Sequence, residues 1–381
     1  VRVGVGISNK PLAWEAVSEA ANDALKVSGP ASLAILLTTD NYDQGAVLSS
    51  AKALLGKAKL VGACGAGLFT GDGIFTQGVG ILTLAGEGLQ AATALVQYSE
   101  EDARESGVLL GERLLAGGQE SGAIICFPDG FSGNISRMID GLYDAAGPGF
   151  VYAGGGTGDN LRFFRTWQIT DEGVASNAVA GAFLSGCACS TRIGHEWEPT
   201  GSPLVITHAK GKIVYELDGR AAFEVYSERL GGIAPDRFSH FAMRSPFGIS
   251  YGTDSYLVRD PLKVVQGSAI EFVTEIPNRA VAYIMKPREN SRLSMAENLG
   301  RESFFSLKEP RFVLVSYCVS RSLLLGEGYV EEIRALLRPF GAGFPVLGFL
   351  AFGEIGCYAD SPQLHNKSIS LLAGGMTVEQ V

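Results

Sequence analysis

The stretch "SGAIICFPDG" (Ser121–Gly130) carries an apolar run that stops at Pro128-Asp129-Gly130. An apolar run bounded by turn-forming residues reads as a strand. Behind it comes "ISRMIDGLYDAAG" (135–147), whose apolar residues recur at helical spacing, and then "FVYAGGGTGDN" (150–160), a strand that runs into glycines. "NAVAGAFLSG" (177–186) closes the group with a further strand. The order is strand, helix, strand, glycine turn, strand.

The same order lies on either side. Upstream are "ASLAILLTTD" (31–40), the helical "GAVLSSAKALLGKA" (45–58), "LVGACGAG" (60–67) and "GVGILTLAG" (78–86). Downstream are "RFVLVSYCVSR" (311–321), the helical "YVEEIRALLRPFG" (329–341), "PVLGFLAFGEIGCY" (345–358) and "SISLLAGG" (368–375). Apolar strands alternating with helices predict an α/β fold: repeated strand-helix-strand-strand units in mixed sheets. Between the second and third copies, "GKIVYELDGRAAFEVYSERLGG" (211–232), "SYLVRDPLKVV" (255–265), "AIEFVTEI" (269–276) and "AVAYIMKP" (280–287) form a β-rich segment in the C-terminal half. It reads either as a degenerate fourth copy or as a separate insertion. The loop-like "EPTGSP" (198–203) predicts a boundary near Thr200–Thr207, dividing the chain into residues 1–205 and 206–381.

Composition bounds the function. A chain of 381 residues with 46% hydrophobic and 19% charged residues has ample material for a packed core. The net charge is −9 and no basic run occurs, which argues against nucleic acid as a partner. Six cysteines, at 64, 126, 187, 189, 318 and 357, sit mostly in apolar strand-like runs, the usage of reduced, buried thiols. No signal peptide is visible, and the uncharged stretch Gly173–Ser190 reads as buried strand rather than membrane span. A cytoplasmic protein is expected.

Familiar catalytic signatures are missing or out of context. Gly65, Gly67 and Gly71 lead into another strand, not into the helix that a dinucleotide turn requires. There is no Gly-x-x-x-x-Gly-Lys-Ser/Thr loop, Gly-x-Ser-x-Gly elbow or His-Glu-x-x-His helix. Cys187, Cys189 and His195 lack the partner pair that a structural zinc site needs, so no metal and no cofactor are predicted. Cys318, three residues before Arg321, and Cys64, on a glycine turn, leave open a thiol nucleophile.

"VLGFLAFGEIG" with Leu364-His365-Asn366 downstream resembles the closing motif of FIST domains. "KIVYELDGRAAFEVYSERLG", "YCVSR" and "GFPVLG" resemble the C-terminal part of that family, and "LVGACGAG" and "YAGGGTGDN" its N-terminal strands. The resemblance implies a FIST N-terminal and a FIST C-terminal domain. It also implies an intracellular sensory role in binding small ligands, with amino acids as the proposed class. Relatives of this kind are often fused to kinase, chemoreceptor, cyclic-dinucleotide or F-box modules. This chain carries none of these, so it resembles a stand-alone version with a separately encoded signalling partner. It departs from the family at Cys64-Gly65-Ala66-Gly67, where relatives carry a Ser/Thr-rich turn ending in Gly-Glu.

On this reading a polar metabolite sits among the glycine turns Gly155, Gly353 and Gly356. Glu354 takes an ammonium or another donor, Arg321 pairs with a carboxylate or phosphate, and Asp159, Asn160 and Asn366 add hydrogen bonds. The alternatives are a cysteine-dependent hydrolase or transferase, and a ligand-free interaction module.

Overall fold

Three copies of one unit build most of the protein. The computed structural model describes residues 1–252, 255–358 and 361–376. Unit one runs β1 (Arg2–Ser8), α1 (Ala13–Ser28), β2 (Leu33–Thr39), α2 (Gln44–Leu55), β3 (Lys59–Gly65), β4 (Leu68–Thr70), β5 (Gly73–Phe75) and β6 (Val79–Ala85). Unit two repeats the order as β7 (Gln90–Gln97), α3 (Ala103–Leu114), β8 (Gly122–Pro128), α4 (Ile135–Ala146), β9 (Phe150–Gly155), β10 (Gln168–Thr170), β11 (Gly173–Ala175) and β12 (Ala178–Ser185).

Unit three opens with β13 (Ala188–Gly194) and is then interrupted. The insertion comprises β14 (Trp197–Lys210), β15 (Ile213–Leu217), β16 (Arg220–Ala221), α5 (Ala222–Arg229), α6 (Phe238–Ala242), β17 (Phe247–Ser250), β18 (Tyr256–Arg259), β19 (Pro261–Val265), β20 (Ala269–Phe272) and β21 (Ala280–Pro287). Its strands form their own eight-stranded sheet over a separate apolar core that includes Leu204, Tyr226, Phe247 and Phe272. The unit then resumes with α7 (Arg292–Phe305), β22 (Glu309–Cys318), α8 (Val319–Leu325), α9 (Gly328–Leu337), β23 (Val346–Ala351), β24 (Glu354–Tyr358), β25 (Ser361–His365) and β26 (Ile369–Met376). The β-rich segment expected in the C-terminal half is thus an insertion, not a fourth copy.

Each unit centres on one parallel pair, β2–β3, β8–β9 or β22–β23, flanked by an antiparallel return strand, β6, β12 or β26, and an edge strand, β1, β7 or β13. The short hairpins do not complete their own sheets. Hairpin β4–β5 of unit one pairs with β23 of unit three, β10–β11 of unit two with β3 of unit one, and β24–β25 of unit three with β9 of unit two. This cyclic exchange gives three six-stranded sheets, each built from two units.

The alternation of side chains along a strand explains the layering. Leu33, Ile35 and Leu37 of β2 face a central core that they share with Ala123, Ile125 and Phe127 of β8 and with Phe312 and Leu314 of β22. Ala34 and Leu36 face the other way, against Ala20 and Ala21 of α1 and Val47 of α2. The three sheets therefore pack inward on one another and carry their helices outside. The sequence reading, which began each copy at its central strand, did not include the edge strand and first helix of each unit.

Candidate functional site

The glycine turns after β3, β9 and β23 meet at one place. Gly156 N donates to Gly353 O (2.9 Å) and Phe352 N to Gly156 O (2.9 Å). Ala66 N donates to Leu350 O (3.1 Å), and Gly158 N to Cys64 O (2.9 Å). The glycines serve this contact of main chain with main chain. A Cβ on Gly158 would lie 1.9 Å from the Phe352 ring, and one on Gly155 would lie 2.9 Å from Gly353 O. Gly353 has φ +96°, which only glycine adopts readily, and Gly356 lies in β24 against Ile193. Gathering at the strand ends brings these turns together, and backbone fills the space between them.

Beside the turns lies a buried polar cluster of unit three. Glu354, fully buried at the start of β24, accepts from Ser368 Oγ (2.7 Å) and Ser368 N (3.2 Å), and the Cys318 thiol reaches it as well. Burial pushes its carboxyl up to about 8, against the pull of those hydrogen bonds. Arg321, at the start of α8, is closed on protein acceptors: Nη2 and Nε on Glu332 (2.6 and 3.1 Å), and Nη1 on Glu196 (2.6 Å) and Lys367 O (2.8 Å). A bidentate fork of this kind braces α8 against α9. Lys367, fully buried with φ +53°, holds Asp260 of the insertion (3.1 Å) and donates to Ser320 Oγ (2.8 Å). Asn366 Nδ2 donates to His365 O (3.1 Å), and its Oδ1 accepts from Thr274 of the insertion (2.8 Å). Lys367, Glu332, Glu196 and Asp260 were not singled out in the sequence, because each acquires its partner only through long-range packing.

The equivalent strand ends of unit two are open. A crevice of about 750 Å³ lies beyond β8, lined by Asp129, Glu100, Ser132, Arg165, Ser176 and Asn177 among others. Asp129 is buried, and its carboxylate accepts from Phe131 N (3.0 Å) and Asn177 N (3.0 Å). Glu100 is exposed and accepts from Gly133 N (2.9 Å). The guanidinium of Arg165 stacks over the Trp167 ring (4.0 Å to the centroid), and its Nε donates to Ser176 Oγ (2.8 Å).

Asp159 shapes one wall of the crevice. Its buried carboxylate gathers the N–H groups of Arg162, Phe163, Phe164 and Arg165 at 2.7–3.3 Å. That contact fixes the loop in which Leu161 and Phe163 hold φ values of +60° and +54°. Asn160 is exposed on the same loop. The structure thus places Glu354, Arg321, Asn366, Gly353 and Gly356 in or beside the closed cluster, puts Gly155 against Gly353, and sets Asp159 and Asn160 on the loop that carries the crevice-lining Phe164 and Arg165. Asp129, in "FPDG" at the end of a predicted strand, was not singled out as a site residue, although a carboxylate at a strand end was the one signal that could have found the crevice.

The thiols are shielded. Burial pushes Cys64 well up, with Asp40 and Asp159 adding to it, and burial does the same for Cys318, with Glu354 and Asp260 adding to it. Neither is a thiolate at neutral pH. Among the described residues no three His, Cys, Asp or Glu side chains converge to hold a metal ion, and no helix is long and apolar enough to cross a membrane.

The chain belongs to the FIST domain family: the FIST N domain matches residues 32–220 and the FIST C domain residues 222–357. An uncharacterised protein of Mycobacterium tuberculosis is 24% identical over 387 residues, spanning 97% of this chain and 99% of the relative. An uncharacterised protein of Methanocaldococcus jannaschii is 26% identical over 229 residues, spanning 53% of this chain and 44% of the relative. A crystal structure of chorismatase aligns with 98% of this chain and 97% of its own at 9% identity and a TM-score of 0.37, a likeness too slight to bear on function.

Proposed function

We propose that this protein is an intracellular sensor that binds a small zwitterionic metabolite of the amino-acid class in the open crevice of unit two. Membership of a family associated with sensory signal transduction supports the sensory role. The carrying observation is the crevice itself, whose lining combines the cation Arg165 with two carboxylates, Glu100 and Asp129, and with the hydroxyls of Ser99, Ser132 and Ser176. A guanidinium takes a carboxylate through two parallel hydrogen bonds, and carboxylates take an ammonium. The volume is that of a small-molecule site, and the place, beyond the carboxyl ends of strands, is where α/β sheets hold ligands.

Asp159 acts by positioning Arg165, and Phe164, 86% exposed at the rim, is placed to cover an apolar side chain of the ligand. The insertion touches the segment that follows β8 on another side of the crevice: Glu275 Oε1 accepts from Ser136 N in the first turn of α4 (2.5 Å), and Lys212 Nζ donates to Ser132 O (3.4 Å). Occupancy can reach a signalling partner through these contacts. The buried state of Cys64 and Cys318 weighs against the cysteine-dependent enzyme.

Thermal unfolding with a panel of amino acids and related metabolites tests the reading. A ligand at about a hundred times its dissociation constant adds ~2.7 kcal/mol. Arg165→Met should abolish the shift and leave the unliganded melting temperature unchanged, because Arg165 is exposed. A flat response across the panel, or a shift that survives Arg165→Met, would overturn it.

A further inference from the structure

Two thiols stand apart from the crevice and from the buried cluster. Cys187 lies in the bend that joins β12 of unit two to β13 of unit three, and Cys189 lies in β13. Their Sγ atoms are 3.8 Å apart, and both side chains are half-buried, whereas Cys64, Cys126 and Cys318 are fully enclosed. A surface cavity of about 360 Å³ is lined by Cys189 together with Pro148, Arg192 and Cys357, and Cys187 is itself only partly buried at the bend.

The backbone there can yield. Gly186, next to Cys187, holds φ +84°, and β13 is the edge strand of its sheet, where among the described strands it pairs with β26 alone. Closing from 3.8 Å to the ~2.05 Å of a disulfide needs a local shift at a bend, not a rearrangement of the core.

We propose that Cys187 and Cys189 form a redox-responsive dithiol that a hydroperoxide closes to an intramolecular disulfide. The Cys187 thiolate attacks the terminal peroxide oxygen, the O–O bond breaks, and the departing oxygen leaves as water or alcohol after taking up a proton. Cys187 is then a sulfenic acid. The Cys189 sulfur attacks the Cys187 sulfur, the S–O bond breaks, and hydroxide leaves with the Cys189 proton as water. The two thiols lose two electrons, the peroxide gains them, and two thiol protons end in the oxygen products. The hydrogen bond from the Cys189 thiol lowers the Cys187 thiol below its ordinary value, which favours Cys187 as the attacking sulfur. A ring closed between residues two apart is strained, and strained disulfides are readily reduced, so the bond is a reversible one.

The test uses the full, reduced chain exposed to a small excess of hydrogen peroxide, denatured, alkylated and digested with trypsin. Both cysteines fall in one peptide, Thr166–Arg192. That peptide should escape double alkylation and weigh about 2 Da less than its reduced form, and dithiothreitol should restore it. Cys189→Ser should stop at a sulfenic acid on Cys187 that dimedone traps, with a gain of about 16 Da before trapping. Full alkylation of this peptide after peroxide would overturn the proposal. So would loss of the bond in favour of over-oxidised Cys187 in the unmutated chain, or Cys189→Ser protein in which dimedone finds no sulfenic acid.

Discussion

Replacing Arg321 by Met removes the only cation hydrogen-bonded to Glu332 among the described residues while nearly keeping the volume of the side chain. Glu332 is fully buried and Glu196 is 7% exposed, so both carboxylates lose the guanidinium that holds them at 2.6 Å. The Tyr317 hydroxyl, which also donates to Glu332, cannot offset a charge. Removing one partner of a buried ion pair costs about 3–5 kcal/mol, a large share of the 5–15 kcal/mol that typical domains possess. At about 2 °C per kcal/mol the melting temperature should fall by roughly 6–10 °C, measurable by calorimetry and as a lower urea midpoint. Adding Glu332→Gln should recover part of the loss, since the two residues form one network. A drop of less than about 1 kcal/mol would refute the view of Arg321 as a structural brace.

Glu354→Gln keeps an acceptor for Ser368 but removes a carboxyl whose folded value is about 8 against an ordinary 4.5. The stability from this raised group is full below about pH 4.5 and is lost as pH rises through about 8, so stability-versus-pH curves should be flatter for the variant; parallel curves would refute this. Asp159→Ala strips the acceptor from four N–H groups of the Arg162–Arg165 loop and should cost about 1–3 kcal/mol by urea unfolding, with a weaker ligand shift because Arg165 is no longer held. Gly158→Ala drives a methyl group to within 1.9 Å of the Phe352 ring and should lower stability by about 1–3 kcal/mol, whereas an unchanged melting temperature would mean that the meeting of the turns is slack.

By itself the sequence determined the α/β class, the threefold recurrence of strand, helix, strand and glycine turn, and the β-rich segment in the C-terminal half. Those signals are local: period 2 or 3.6 and glycine at strand ends are written within ten or twenty neighbouring residues. The edge strand and first helix of each unit were legible in principle, since "AWEAVSEAANDALKVS" and "ARESGVLLGERL" bury one face in α1 and α3. Only the tertiary structure decided which sheet each hairpin completes. Glu354 in β24 pairs with Gly155 in β9, a register that no local pattern encodes. It likewise decided that Arg321 faces Glu332 on the next helix and Glu196 far upstream, and that Lys367 meets Asp260 of the insertion. A charged residue beside a glycine turn looks the same in sequence whether it faces solvent, a ligand or a buried counter-charge. Burial and long-range partners make the difference, and the chain acquires both only when three units and an insertion close on one another.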